Sequence, residues 1–448
     1  MKQDTSTGPA AQPATRLDAS PSPPAAAIAA RPTRVRWFIF SIIFLLVVIN
    51  LIDRVSLSIG MPTIAREFQL SPTMQGMILS SFFWAYALLQ IPGGWLIDRF
   101  GPRKIITGST LLWGLFQAAA ALATGGISLL LSRMALGAAE APLFPAGGKL
   151  NSLWLSSKER GRGAVIMDCG GPLGAALGGI IIAHMIAMLG SWRLVFAIAG
   201  GVTILLGWLS WYYLRDNPAR HPQVNQGELA AITEAAAHDA GDAPDTPGLG
   251  IAPRWLIAML VGRAAWAMMF FGLLTWGPSY LAQGRGFDLI AIGNATFIIF
   301  ICGALGSLSG GFLLDALVKA GVRHSVALKS LLSLSGAITL AAFMALPYLT
   351  SSYMAVVFLS IAACFLMWGS LYWSLPVLLV AKQHVGVVGG IMNMAGSLGG
   401  IMVPILVGVI LQKTGSYGGV LLFFAACSAV YILGTCLIKL NVKTGVRS

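Results

Sequence analysis

From Trp37 to the region of Lys439 the chain alternates between apolar runs of about 20 residues and short polar breaks. A helix rises 1.5 Å per residue, so about 20 apolar residues match a hydrocarbon core of ~30 Å. With no water there to satisfy the backbone, such runs read as helices. Twelve runs are predicted, beginning near Trp37, Met77, Ile105, Ile127, Ala164, Arg193, Trp255, Ile290, Ala327, Tyr353, Val385 and Tyr417. The fold class is an all-α polytopic membrane protein of twelve transmembrane helices. Residues 1–33 are rich in Ala, Pro, Ser and Thr without apolar periodicity and read as a disordered cytoplasmic tail. The first apolar run is long enough to span, so it reads as an uncleaved helix rather than a signal peptide.

The breaks divide the chain in two. The longest, 215–254, holds Pro, Gly and acidic residues with a short helix around Gly227 to His238. It separates six spans over 34–214 from six over 255–440, ahead of a tail at 441–448. A repeat supports the division: Gly76, Gly93, Gly94 and Asp98 recur at one offset as Gly293, Gly310, Gly311 and Asp315. Two six-helix halves with substrate held between them near the midplane is a transporter plan.

Composition sharpens this picture. Hydrophobic residues make up 56% of the chain and charged ones 10%, outside the soluble range. The net charge of +13 comes from Lys and Arg scattered at the ends of apolar runs. That is a topological pattern rather than a nucleic-acid surface, and it puts both termini in the cytoplasm. Alternate loops carry Arg34, Arg36, Arg99, Arg103, Lys104, Lys158, Arg160, Arg162, Lys319, Arg323, Lys329, Lys382, Lys439, Lys443 and Arg447. The opposite loops hold little beyond Arg66, Arg193, Arg285 and Lys413. Cys169, Cys302, Cys364, Cys427 and Cys436 lie inside apolar segments with no CxxC pair, so they read as buried thiols rather than disulfides or metal ligands.

The candidate chemistry lies in polar residues inside apolar spans, which are costly there and usually line a water-filled path. Arg133, Gly137 and Glu140 sit at i, i+4 and i+7 on one face of the fourth span. Asp53 and Arg54 are adjacent in the first span, so they point about 100° apart and seek different partners. These four groups could be a static network that locks helices. They could also couple protons, because a desolvated carboxylate facing an Arg titrates when that Arg is drawn away.

The loop GGWLIDRFGPRK after the second span has a second-half echo, GGFLLDALVKAG. Through Gly94, Asp98, Arg99, Gly101, Arg103 and Lys104 it resembles the signature loop of the major facilitator superfamily. Gly94 is expected to let two helices approach, and Asp98 to accept from a neighbouring helix N-terminus. With NLIDRVSLSI, RMALGAAEAPLFPAG, WLSSKER, GSWRLVF and NPARHPQVNQGELAAI in order, the chain is similar to the anion:cation symporter family within that superfamily. The resemblance implies that Asp53 and Glu140 carry protons and that Arg54 or Arg133 holds a substrate carboxylate or gates its site.

Other polar positions extend the candidate list. Asp168 is either a further titrating or substrate-facing group or a snorkelling helix-end charge. Arg263 reads first as reaching the cytoplasmic interface, with a place in the substrate site as the alternative, and His184 reads as interfacial. Trp373, Asn393 and Ser397 are candidate substrate contacts from the second half, with Tyr280, Tyr372 and Ser374 as further possibilities. The glycine runs GGPLGAALGG and GVVGGIMNMAGSLGG serve helix packing, not phosphate binding.

The reading is a secondary transporter in a bacterial-type inner membrane: a monomer with no cofactor, metal or nucleic-acid partner, taking up a sugar acid or related carboxylate with protons. An exporter of organic compounds and a non-transporting nutrient sensor are the alternatives. No ATP loop, zinc motif or Ser/His/Asp set is present, which excludes the common enzyme classes. In the sugar-acid members that the chain resembles, the residues at Leu51, Gly171 and Ser397 are commonly Tyr, Gln and Asn. Their loss predicts a substrate with fewer hydroxyls.

Overall fold

The computed structural model describes residues 32–239, 251–380 and 384–439. The expected tails, the second part of the linker, Lys382, Lys443 and Arg447 lie outside the described residues. Twelve helices are long and apolar enough to cross a membrane: α1 Val35–Glu67, α2 Pro72–Phe100, α3 Pro102–Leu122, α4 Gly126–Trp154, α5 Glu159–Leu189, α6 Trp192–Tyr213, α7 Pro253–Gly284, α8 Leu289–Lys319, α9 His324–Tyr348, α10 Ser352–Ser374, α11 Val387–Thr414 and α12 Tyr417–Leu437. Their short connections use ordinary stop and start chemistry. Ser71 and Asp288 cap α2 and α8, accepting from the amides of Met74 (3.2 Å) and Ala291 (2.8 Å). Gly190 and Gly415 end α5 and α11 at φ 66° and 61°, in the left-handed region that glycine enters freely.

In the first half α1 packs on α5, α3 on α6 and α2 on α4; in the second, α7 packs on α11 and α12, and α8 on α10. The halves meet along α2 with α11, α5 with α8 and α1 with α7. Small residues close this seam at the end of the bundle opposite the chain termini. A Cβ at Gly76 would strike the Pro404 carbonyl, and one at Gly293 would lie 2.8 Å from the Gly179 carbonyl oxygen. The repeated glycines therefore hold equivalent contacts between halves. Ser80 Oγ donates to the Ile401 carbonyl at 2.6 Å beside them.

Two spans depart from regular helix where they flank the interior. In α4 the helix breaks at Ala141 and Pro142, directly after Glu140, and resumes at Leu143. Pro142 and Pro145 lack the N–H groups needed to continue the ladder. In α10 the helix tightens into a 3₁₀ stretch over its last part, Met367–Ser374.

The signature loop differs from expectation in two contacts. The close approach falls at Gly93, whose Cβ would sit 3.2 Å from Pro142, while Gly94 has no neighbour within 4 Å. Asp98 accepts from Lys149 Nζ at 3.0 Å rather than from a helix N-terminus. Asp216 of the linker takes the latter role, accepting from the Arg103 amide at 2.6 Å at the start of α3. Arg99 stacks over Trp95 at 5.3 Å.

The linker helix Gln226–Asp239 is fastened to the first half. Its buried Glu228 accepts from Thr33 Oγ1 (2.6 Å), the amides of Val35 and Arg36, and the Arg36 guanidinium. His221 packs edge-on against Trp154, and burial holds its imidazole below the usual histidine range. All five thiols are free, but Cys427 alone among them is buried; Cys436 is exposed and the rest are half-buried. Apolar spans have lipid-facing as well as packed sides, so location in a span did not imply burial.

Candidate functional site: a charged core beside a central cavity

A cavity of about 780 Å³ lies between the halves. It runs from the middle of the spans toward the end carrying the termini, as its wall includes Gly148 near the end of α4 and Gly389 near the start of α11. The first half contributes Leu51, Arg54, Tyr86, Gln90 and Asp168, and the second Arg263, Trp373, Asn393 and Ser397.

Arg54 is the link between cavity and protein interior. Its Nε donates to Glu140 Oε2 at 3.0 Å, and its guanidinium lies over the rings of Phe82 (4.3 Å) and Tyr86 (4.8 Å). Glu140 is fully buried behind it. Glu140 Oε1 and Arg54 Nη2 are buried without a hydrogen-bond partner, so the pair retains one acceptor and one donor position. The other two charged residues sit deeper. Asp53 Oδ2 accepts from Trp113 Nε1 (2.7 Å) and Thr203 Oγ1 (3.0 Å). Arg133 donates to Gln117 Oε1 at 3.0 Å and reaches the Asp53 carbonyl at 3.4 to 3.5 Å. Gln117 donates onward to Ser56 at 3.0 Å.

Arg133 is absent from the cavity wall and borders a separate void of about 20 Å³. The i, i+4, i+7 face of α4 does come together as the spacing implied, with Gly137 set against the Phe82 carbonyl of α2. That face meets α1, α2 and α3 instead of the large cavity.

Arg263 takes the second of the two places that the sequence left open for it, the cavity rather than the cytoplasmic interface. It lies on the cavity wall, only 8% exposed, stacked on Trp266 at 4.2 Å and near Trp373 at 5.3 Å, with Nε and Nη1 unpartnered. Asp168 also faces the cavity and is exposed to it. Asn393 Nδ2 donates to Gln90 Oε1 across the halves at 3.3 Å. Three other candidates lie elsewhere. Tyr372 is buried and bonds Thr435 at 2.9 Å; Tyr280 accepts from Arg285 at 2.7 Å near the end opposite the termini; Ser374 donates to the Leu371 carbonyl at 2.6 Å. His184 contacts the Ile180 carbonyl within its own helix.

Sequence reasoning missed Gln90 and Gln117, which the rule for polar groups inside apolar spans would have found. It also missed Trp113, Tyr86 and Trp266. Nothing local separates these aromatics from packing residues. Among the described residues no cluster of His, Cys, Asp and Glu could hold a metal ion.

The sequence matches the family described as Major Facilitator Superfamily over residues 43–404. It is 33% identical over 414 residues to the probable galactarate/D-glucarate transporter GarP of Escherichia coli (strain K12), covering 88% of this chain and 92% of that one. It is 31% identical over 411 residues to the probable sulfoacetate transporter SauU of Cupriavidus necator, covering 89% and 94%. A crystal structure of a bacterial homolog of the human lysosomal transporter Spinster, in an inward-facing and unoccupied conformation, superposes with a TM-score of 0.68 at 19% identity. That alignment covers 91% of this chain and 95% of that one.

Proposed function

The chain belongs to the Major Facilitator Superfamily, and from that premise we propose that it imports an organic anion together with protons by alternating access in a bacterial inner membrane, with both termini in the cytoplasm. The observation that carries the reading is the pairing of Arg54, a cavity-wall cation, with the fully buried Glu140 at 3.0 Å. A substrate carboxylate entering the cavity competes for the Arg54 guanidinium, since charge-assisted bonds to carboxylate are the strong ones. Glu140 then loses its counter-ion in dry surroundings, where an unpaired charge costs more than a bound proton. Oε1, buried without a partner, is a seat for that proton. Substrate and proton thus load together. Asp53, held by Trp113, Thr203 and the Arg133 region, is the second candidate proton carrier.

Substrate recognition falls to Arg54 from the first half and Arg263 from the second, with Trp373, Asn393, Ser397 and Gln90 around them. Arg133 holds the core together instead. The names of the similar transporters, all for organic acids, support the anion class. The cavity opens toward the end carrying the termini while the other end is closed by Gly76 and Gly293, which fits one of two alternating states. An exporter has no observation in its favour. A sensor would need an output domain, and the linker supplies one short helix among the described residues.

The test is uptake into proteoliposomes under an imposed pH gradient. Accumulation of an organic acid driven by external acid, and lost when the gradient is collapsed, is the expected result. Uptake indifferent to the gradient refutes coupling.

A further inference from the structure

Building on the organic-anion reading, we infer that the substrate carries a single negative charge on a ring-bearing or otherwise apolar body, and that Asp168 is the residue that excludes a second carboxylate. The wall of the cavity presents three charged side chains: Arg54, Arg263 and Asp168. In the empty site Arg54 is matched by Glu140 at 3.0 Å. Among the described residues Arg263 makes no hydrogen bond through Nε or Nη1, and the Asp168 carboxylate on the facing half makes no hydrogen bond or ion pair, though the two charges act on each other across the cavity. Behind the wall, Asp53 keeps its charge opposite Arg133 while the anion is bound, so the inference rests on one proton, carried by Glu140, entering the count.

Loading one proton on Glu140 releases Arg54. Two guanidinium groups and Asp168 then leave one net positive charge, which one carboxylate neutralises. A second carboxylate would leave the closed site with an uncompensated negative charge next to Asp168, in surroundings too dry to screen it. The rest of the wall supplies no further cation: Phe83, Phe144, Phe270 and Phe271 present apolar rings, Leu51 and Gly171 offer no side-chain hydrogen-bonding group, and Tyr86, Gln90, Asn393 and Ser397 are polar but uncharged. Specificity is built as much from such repulsion as from attraction.

The test uses the full-length protein and two pairs of acids that differ in one carboxylate: benzoate with terephthalate, and galactonate with galactarate. Thermal stabilisation across a concentration series gives the apparent affinity of each. In the wild type the monoacid of each pair is expected to bind at least about tenfold more tightly than its diacid, and benzoate more tightly than galactonate. Asp168→Asn should narrow the monoacid advantage by about tenfold, and Asp168→Glu should keep it. Diacids binding as well as their twins, or an Asp168→Asn ratio equal to the wild-type ratio, overturns the inference while leaving the organic-anion reading intact. Binding of none of the four acids overturns both. Should Asp168→Asn fail to fold, the wild-type ratios alone decide.

Discussion

The two halves share a repeat and a helix plan, but not their chemistry. The first half gathers two carboxylates and two guanidinium groups among α1, α3, α4 and α6 and partners them in part with Trp113, Gln117 and Thr203, leaving one polar atom of each group open. The second half has Arg263 on its cavity side, set among Trp266, Trp373 and phenylalanines. A cluster whose charges cancel can take up or release a proton at modest cost, because each group has a counter-ion nearby. A cation against aromatic faces, with its nearest carboxylate, Asp168, across the cavity on the other half, cannot exchange its charge that way. It can attract an anion. The asymmetry supports the proposed division, with proton handling in the first half, substrate attraction in the second and Arg54 taking part in both.

The largest effect should come from Glu140→Gln, which removes the titrating group and leaves the cavity wall intact. Proton-driven accumulation is expected to vanish, while exchange of internal for external substrate persists, because a neutral side chain mimics the loaded carrier. Full accumulation by this variant would take Glu140 out of the coupling role. Next in size are Arg263→Ala and Arg54→Ala. Each removes a charge-assisted bond of about 1.5 to 3 kcal/mol, so substrate affinity should fall about 10- to 100-fold by titration calorimetry. Wild-type affinity in Arg263→Ala would erase the assignment of attraction to the second half.

Arg133→Ala separates structure from binding. Removing one member of a buried charged network typically costs about 3 to 5 kcal/mol, so the melting temperature should drop clearly. Affinity in the protein that remains folded should change less than about threefold, since Arg133 does not border the cavity. A large affinity loss at unchanged stability would return Arg133 to the substrate site. The smallest effect is expected for Asn393→Ala, which breaks a neutral bond to Gln90 at 3.3 Å. About 1 kcal/mol corresponds to an affinity loss of roughly fivefold, and a loss beyond about 30-fold would show that Asn393 contacts a charged group directly.

Span positions were legible because the bilayer imposes a length that few other environments demand. The reading placed spans near Trp37 and Tyr417, and the helices begin at Val35 and Tyr417. The widest discrepancies are Met77 against Pro72 and Ala164 against Glu159. In both, a polar first turn, PTMQG or ERGRG, extends the helix beyond its apolar part. Hydropathy does not register a polar first turn as part of the helix. The shared face of Arg133, Gly137 and Glu140 was equally visible, because a helix fixes which neighbours point together.

What sequence alone determined, then, was the local and the periodic: twelve helices, a two-fold repeat, and the costly charged residues inside them. Which charge meets which was decided by the tertiary structure. Arg133 and Arg54 are alike as sequence signals, both being guanidinium groups inside apolar spans. The rotation of α4 against α1 and α3 turns Arg133 toward Gln117, and the rotation of α1 leaves Arg54 on the cavity wall. Arg263 and Asp168 lie 95 residues apart in the chain and share a cavity because α5 and α7 belong to halves that close on each other. Helix periodicity sets a side chain's angle about its own axis; the partner at that angle is set by packing between helices, and no spacing within one helix encodes it.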